Sequence, residues 1–144
     1  MVRIHWDKAR KRIYVFDEMY KAGMHNDELA EVLAERLGTE YVTCDSAEPK
    51  SIDDLCRRGI RALPAIKGAG SINFGIQFLQ GCEIIIDVNC QNFKNEISTY
   101  HWQEDKYGNA LRKPVDKDNH LLDALRYATE PIQIDMRTAA TGRL

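Results

Sequence analysis

Glu40-Tyr41-Val42-Thr43-Cys44-Asp45 reads as a short buried strand that ends on an acid, and Asp118-Asn119-His120-Leu121-Leu122-Asp123, far along the chain, reads as the opening of a helix. The two stretches decide the fold between them. His120 and Asp123 are three apart, so on a helix they project from one face. Chemistry in open α/β sheets collects at strand ends, where Asp45 lies. Two acids and an imidazole are hard oxygen donors plus one nitrogen, a set that suits Mg²⁺ or Mn²⁺, with the nitrogen tilting preference towards Mn²⁺. Carboxylates held close together repel, and a divalent ion relieves that repulsion while keeping them ionised.

Working outward, Val2-Arg3-Ile4-His5-Trp6 alternates apolar and polar residues, and Arg12-Ile13-Tyr14-Val15-Phe16 returns it across the polar turn 7–11, so a hairpin opens the chain. Leu29, Leu33 and Leu37 recur every four residues, which predicts a helix capped by Asn26 or Asp27 and ended by Gly38. A second helix runs through Ser51–Cys56 to Gly59, with Glu48 and Ser51 as its nearer caps. Arg61–Ile66 is a strand whose Pro64 marks an edge or irregular position. Gly68-Ala69-Gly70-Ser71 caps a helix through Leu79, Glu83–Asp87 is a strand, and 92–100 is helical. Residues 102–114 form a second hairpin around Tyr107-Gly108-Asn109. The last helix starts at Asp118 and ends near Pro131, leaving 131–144 as a tail. Strands alternating with helices predict an α/β domain with a mixed sheet.

The chain has 144 residues, 44% hydrophobic and 29% charged, which fits one globular domain with a core of its own. No stretch reaches the roughly 18 apolar residues of a membrane span, and the first residues do not open a signal peptide. Cys44, Cys56, Cys82 and Cys90 form no CxxC pair; three lie in apolar stretches or helix faces and read as buried free thiols of a reducing cytoplasm. Zinc has no ligand set here. A net charge of −2 argues against bulk-charge binding of nucleic acid but leaves room for a local basic patch.

The bases sit at Lys8, Arg10, Lys11 and Arg12 in the first turn and at Arg57, Arg58 and Arg61 around the second helix end. Both groups are candidates for DNA phosphate contact, but turns and helix ends are ordinarily charged, and the solvated surface is the favoured reading of each. Lys67 precedes Gly68-Ala69-Gly70-Ser71, whose backbone N–H groups could meet a phosphate at a helix start. No GxxxxGK[ST] occurs, so no ATPase site is encoded. Asp116 and Asn119 fall near the face of His120 and Asp123, and Glu48 is either a further ligand or a solvated charge at a helix start. Trp102 and Tyr107 read as packing residues, and His5, His25 and His101 as structural or exposed.

Four segments follow one another in a recognisable order: Ile13-Tyr14-Val15-Phe16-Asp17-Glu18-Met19-Tyr20, Asp45-Ser46-Ala47-Glu48-Pro49-Lys50-Ser51-Ile52, Ile66-Lys67-Gly68-Ala69-Gly70-Ser71-Ile72, and Asn119-His120-Leu121-Leu122-Asp123-Ala124-Leu125-Arg126-Tyr127-Ala128. The series resembles the C-terminal nuclease domain of the tailed-phage terminase large subunit over residues 1–130. The resemblance implies an RNase H-like mixed sheet flanked by helices. It implies a metal-dependent endonuclease, with two Mg²⁺ or Mn²⁺ ions in the intact domain, that cuts concatemeric viral DNA during genome packaging. Asp45, His120 and Asp123 match three of the family's catalytic and metal positions. The implied partners are double-stranded DNA and, in the full system, the small terminase subunit and the portal, in the cytoplasm of a bacterial host and away from membranes.

The family's first metal-binding aspartate lies on a strand ahead of the hairpin, in a GxDxG-like stretch that does not occur here. The expected sheet therefore lacks its first central strand, and the chain is either cut from a longer polypeptide or the product of a shortened prophage gene. With that bridging carboxylate absent, Asp45, His120 and Asp123 are expected to hold at most one ion loosely, and cleavage by this chain to be weak or absent. Two other readings stand beside this one: a silent prophage remnant that only binds DNA or packaging partners, and another RNase H-like nuclease such as a junction resolvase.

Overall fold

The computed structural model describes residues 1–115 and 117–141, without the side chains of Arg112, Ala139, Ala140 and Thr141; Asp116 lies outside the described residues. The chain divides into two compact units, one made of Met1–Tyr20 with Ala69–Leu144, the other of Lys21–Gly68.

In the first unit the alternating residues form the expected hairpin of β1 (Val2–Asp7) and β2 (Arg12–Glu18). Ile13 and Val15 are buried on the inward face, while Phe16 remains exposed. The turn is held by Asp7, whose carboxylate accepts the Arg10 backbone N–H at 3.1 Å and its guanidinium at 2.9 Å. β5 (Glu83–Ile86) pairs parallel to β2, giving a three-stranded mixed sheet in the order β1-β2-β5. Three helices belong to this unit: α3 (Ser71–Gln80), α4 (Gln91–Thr99) and α5 (His120–Thr141). Helix α5 packs on β1 and against α3 and α4. The core under them gathers Val2, Ile13, Val15, Leu79, Cys90, Phe93, Leu121, Leu122 and Leu125.

The second unit is a parallel pair, β3 (Tyr41–Cys44) beside β4 (Arg61–Pro64), joined through α2 (Pro49–Arg57) and preceded by α1 (Asn26–Leu37). Its buried residues are Ala30, Leu33 and Leu37 of α1, Ile52 and Leu55 of α2, and Ile60, Ala62 and Ala65 at β4.

Several sequence expectations need correction. Strand β3 is not buried: Tyr41 is exposed and Val42, Thr43 and Cys44 are half-buried, because a two-stranded sheet has too little cover to seal both faces. Helix α1 starts at Asn26 itself, with His25 as its flanking residue and no side-chain cap, so neither Asn26 nor Asp27 caps it. Helix α5 does not stop near Pro131 but runs through it to Thr141. Proline removes its own N–H from a helix and crowds the carbonyl four residues back, but burial of Thr129 and Gln133, joined by a 3.1 Å side-chain hydrogen bond, holds the two sides of Pro131 together. Of the four free thiols only Cys90 is buried; Cys44 and Cys82 are half-buried and Cys56 is exposed.

The second hairpin joins β6 (Trp102–Glu104) to β7 (Ala110–Pro114). Its Tyr107 does not pack: the ring is exposed, with the Lys106 ammonium 4.9 Å from its centre. Asp105 organises the turn, accepting the N–H of Tyr107 at 2.8 Å, the N–H of Asn109 at 2.9 Å and the Asn109 amide at 3.0 Å. The Asn109 side chain first, then these N–H groups, hold the Asp105 carboxyl below the ordinary carboxylate range. A carboxyl depressed by folding adds stability above its unfolded value, about 3.9, and that stability is lost as pH falls through the lower folded value. The amides of 107–109 are therefore expected to lose protection below about pH 4 ahead of those in β2. Hydrogen exchange corrected for intrinsic rates checks this; a protection ratio constant from about pH 5 to pH 3 would contradict it.

Candidate functional site

The first unit places His120 and Asp123 on the opening turn and a half of α5, three residues apart on one face. His120 is exposed, and its ring lies 6.3 Å from that of Tyr20 just beyond β2, at a tilt of 39°. Leu121, Leu122 and Leu125 on the opposite side are buried and fix the helix to the core. Asp123 is bound from below: Oδ1 accepts the Nη2 of Arg126 at 2.7 Å and its Nε at 3.1 Å. That guanidinium is itself buried. Room for its stem comes from Gly75 of α3, where a Cβ would stand 3.2 Å from the Arg126 Cδ.

Two carboxylates carry the placement of α5 back to the sheet. Glu18, at the end of β2, accepts the N–H groups of Asn92 (2.9 Å) and Phe93 (2.7 Å) and the Asn92 amide (2.8 Å), and so holds the start of α4. Glu96, one turn further along α4, accepts the N–H groups of Leu121 (2.8 Å) and Leu122 (3.1 Å) and holds the start of α5. Each helix start leaves N–H groups without partners inside the helix, and an acid supplies them. Sequence reading found His120 and Asp123 and missed Glu96, Arg126 and Gly75. Nothing local signals Glu96 as a cap, because its partners lie 25 residues away; the spacing of Arg126 from Asp123, an ordinary helical ion-pair spacing, was the available clue for Arg126.

In the second unit Asp45 follows β3 directly and is exposed. Its Oδ1 accepts the Ala47 N–H at 2.8 Å, closing a turn, and stands 2.5 Å from the Lys67 ammonium. Lys67, a candidate phosphate contact in the sequence, thus meets a carboxylate. Three of the remaining candidate bases also have carboxylate partners. Arg10 pairs with Asp7 at 2.9 Å, Lys8 with Asp135 at 3.6 Å and Arg58 with Asp54 at 3.1 Å, all at exposed positions; Arg57 is exposed. Exposed pairs of this kind are worth at most about 1 kcal/mol and exchange readily for other charges.

The donors suit a hard divalent ion in kind, and they are few. Among the described residues no group of three or more His, Cys, Asp or Glu side chains stands close enough to hold one metal ion. Two of the three candidate donors share α5; the third belongs to the other unit.

The chain has the mixed α/β fold of the RNase H-like nuclease domains of terminases. Residues 1–131 match the family model of the terminase RNase H-like domain, and the chain belongs to that family. It is 36% identical over 134 residues to the terminase large subunit of Bacillus phage SPP1, covering 90% of this chain and 32% of that protein. It is 32% identical over 147 residues to the PBSX phage terminase large subunit of Bacillus subtilis (strain 168), covering all of this chain and 34% of that one. The chain thus spans about a third of the length of these relatives. Its fold matches the crystal structure of the SPP1 large-terminase nuclease domain with bound Mn at a TM-score of 0.84 and 36% identity, over 90% of this chain and 76% of that one. The P22 large-terminase nuclease domain matches at a TM-score of 0.71 and 19% identity, over 92% and 73% of the two chains, and supports the fold alone.

Proposed function

We propose that this chain is the nuclease portion of a terminase large subunit, a divalent-metal-dependent endodeoxyribonuclease that cuts concatemeric viral DNA during packaging, with residues 1–130 as the nuclease domain. The observation that carries the reading is the likeness, in sequence and in fold together, to an SPP1 nuclease domain that holds Mn. Asp45, His120 and Asp123 are the proposed metal-binding and catalytic side chains, His120 serving as ligand or as proton carrier. Bound Mg²⁺ or Mn²⁺ supplies an activated water and neutralises charge on the phosphate oxygens. Lys67, Arg57, Arg58, Lys8 and Arg10 are the proposed contacts to the DNA backbone, which position the duplex without reading its sequence. Lys67 would exchange Asp45 for a phosphate as DNA arrives. The small terminase subunit and the portal are the partners this role entails.

One observation favours a second reading, a silent form that only binds DNA or packaging partners: the described residues gather no three metal donors together. A plasmid-nicking assay at high protein concentration with Mn²⁺ separates the two. Weak nicking is expected, lowered at least about 100-fold by Asp45→Ala and by Asp123→Asn. Nicking that survives both substitutions would remove the site assignment; DNA binding with no nicking at all would select the silent form. Cutting of four-way junctions but not of linear duplex would point to a resolvase.

A further inference from the structure

The start of a long helix is by default an anion site, because its first N–H groups point outward and its dipole is positive there. Helix α5 runs for 22 residues, and its start carries His120 and Asp123. An anion held directly by those N–H groups before a cation is bound would occupy the same face. Glu96 occupies that position instead. Its Oε2 accepts the Leu121 and Leu122 N–H groups, the residue is 7% exposed, and its Oε1 is buried with no hydrogen-bond partner among the described residues. Capping alone does not call for this arrangement. Asn119, directly ahead of the helix, is a residue type that caps such N–H groups without any net charge. A buried carboxylate with one oxygen unpaired among the described residues is costlier than a neutral cap would be. Glu18 locks α4, and with it Glu96, to the end of β2.

We propose that Glu96 is a positioning residue of the His120–Asp123 face: its charge cancels the positive end of α5, so before a cation is bound the face does not collect free phosphate and stays open to the ion. The inference rests on the reading of His120 and Asp123 as cation-holding side chains.

Inorganic phosphate titrated against the amide NMR signals of Leu121 and Leu122 tests it directly. Glu96→Gln keeps an acceptor for both N–H groups and removes only the charge. It is expected to bring a saturating phosphate response at concentrations about tenfold lower than in the unaltered chain. Adding Asn119→Asp to E96Q returns a charge from another residue and is expected to restore the original response. A purely structural cap predicts no difference between E96Q and the unaltered chain, and that result would overturn the proposal. Should E96Q fail to fold, N119D alone decides: the added charge must weaken the phosphate response, and no change counts against the proposal. Broadening of the His120 ring signals by Mn²⁺ in the unaltered chain separates the two levels of the argument. Its absence sinks the cation-site reading, and with it the cation half of this proposal, while the phosphate titration still decides whether Glu96 repels anions.

Discussion

Asp123→Ala is expected to lower the stability of the fold by roughly 3 kcal/mol, read as a fall in the urea midpoint. The loss comes from what is left behind. Arg126 is buried, with a side-chain exposure of 8%, and both its Nε and Nη2 bond to Asp123 Oδ1. Without the carboxylate a guanidinium stays inside the protein with its charge uncompensated. The value falls at the lower end for a broken buried pair because Asp123 is itself one-third exposed and water can take part of its place. Asp123→Asn retains an acceptor and is expected to cost only about 1 kcal/mol, which is why it is the variant for the nicking assay. The double variant D123A/R126M removes both charges and is expected to recover most of the loss. If D123A unfolds at the same urea concentration as the unaltered chain, the Arg126 pair is not holding α5.

Phe93→Ala is expected to be at least as damaging, at about 3–5 kcal/mol. Phe93 is completely buried and belongs to the cluster that includes Ile13, Val15, Leu121 and Leu125. Its backbone N–H is also one of those that Glu18 accepts, so packing and capping meet at one residue between the sheet and α4. Truncating the ring opens a cavity beneath the helix that places Glu96. For a domain whose total stability is about 5–15 kcal/mol, this consumes a large fraction. The expected outcome is a chain at the edge of folding at 37 °C, seen in thermal unfolding. A loss under about 1 kcal/mol would mean that the core closes over the gap.

Much of the fold could be read from local pattern. Alternation in Val2–Trp6 and Ile13–Phe16 marked the first hairpin, and leucines every four residues marked α1, because both periods report a single buried face. The end of α5 could not be read, since Pro131 is a strong local stop signal and the tertiary burial of Thr129 and Gln133 that overrides it has no local trace. The openness of β3 was hidden for a related reason: an apolar strand looks the same whether its sheet has two strands or five. Of the candidate site, Asp45, His120 and Asp123 stood out because strand ends and helix starts are visible in sequence. Their supports did not stand out. Glu96 and Glu18 act across 25 and about 75 residues of chain, and a capping acid at that range looks like any other surface glutamate.

Asp45, His120 and Asp123 are the proposed metal-binding side chains. Calorimetric titration of Mn²⁺ into the chain, beside Asp45→Ala and Asp123→Asn, tests that proposal most directly. A single weak saturating site is predicted, weakened at least about tenfold by either substitution. Uptake of equal strength in all three proteins, or none in the unaltered chain, would contradict it.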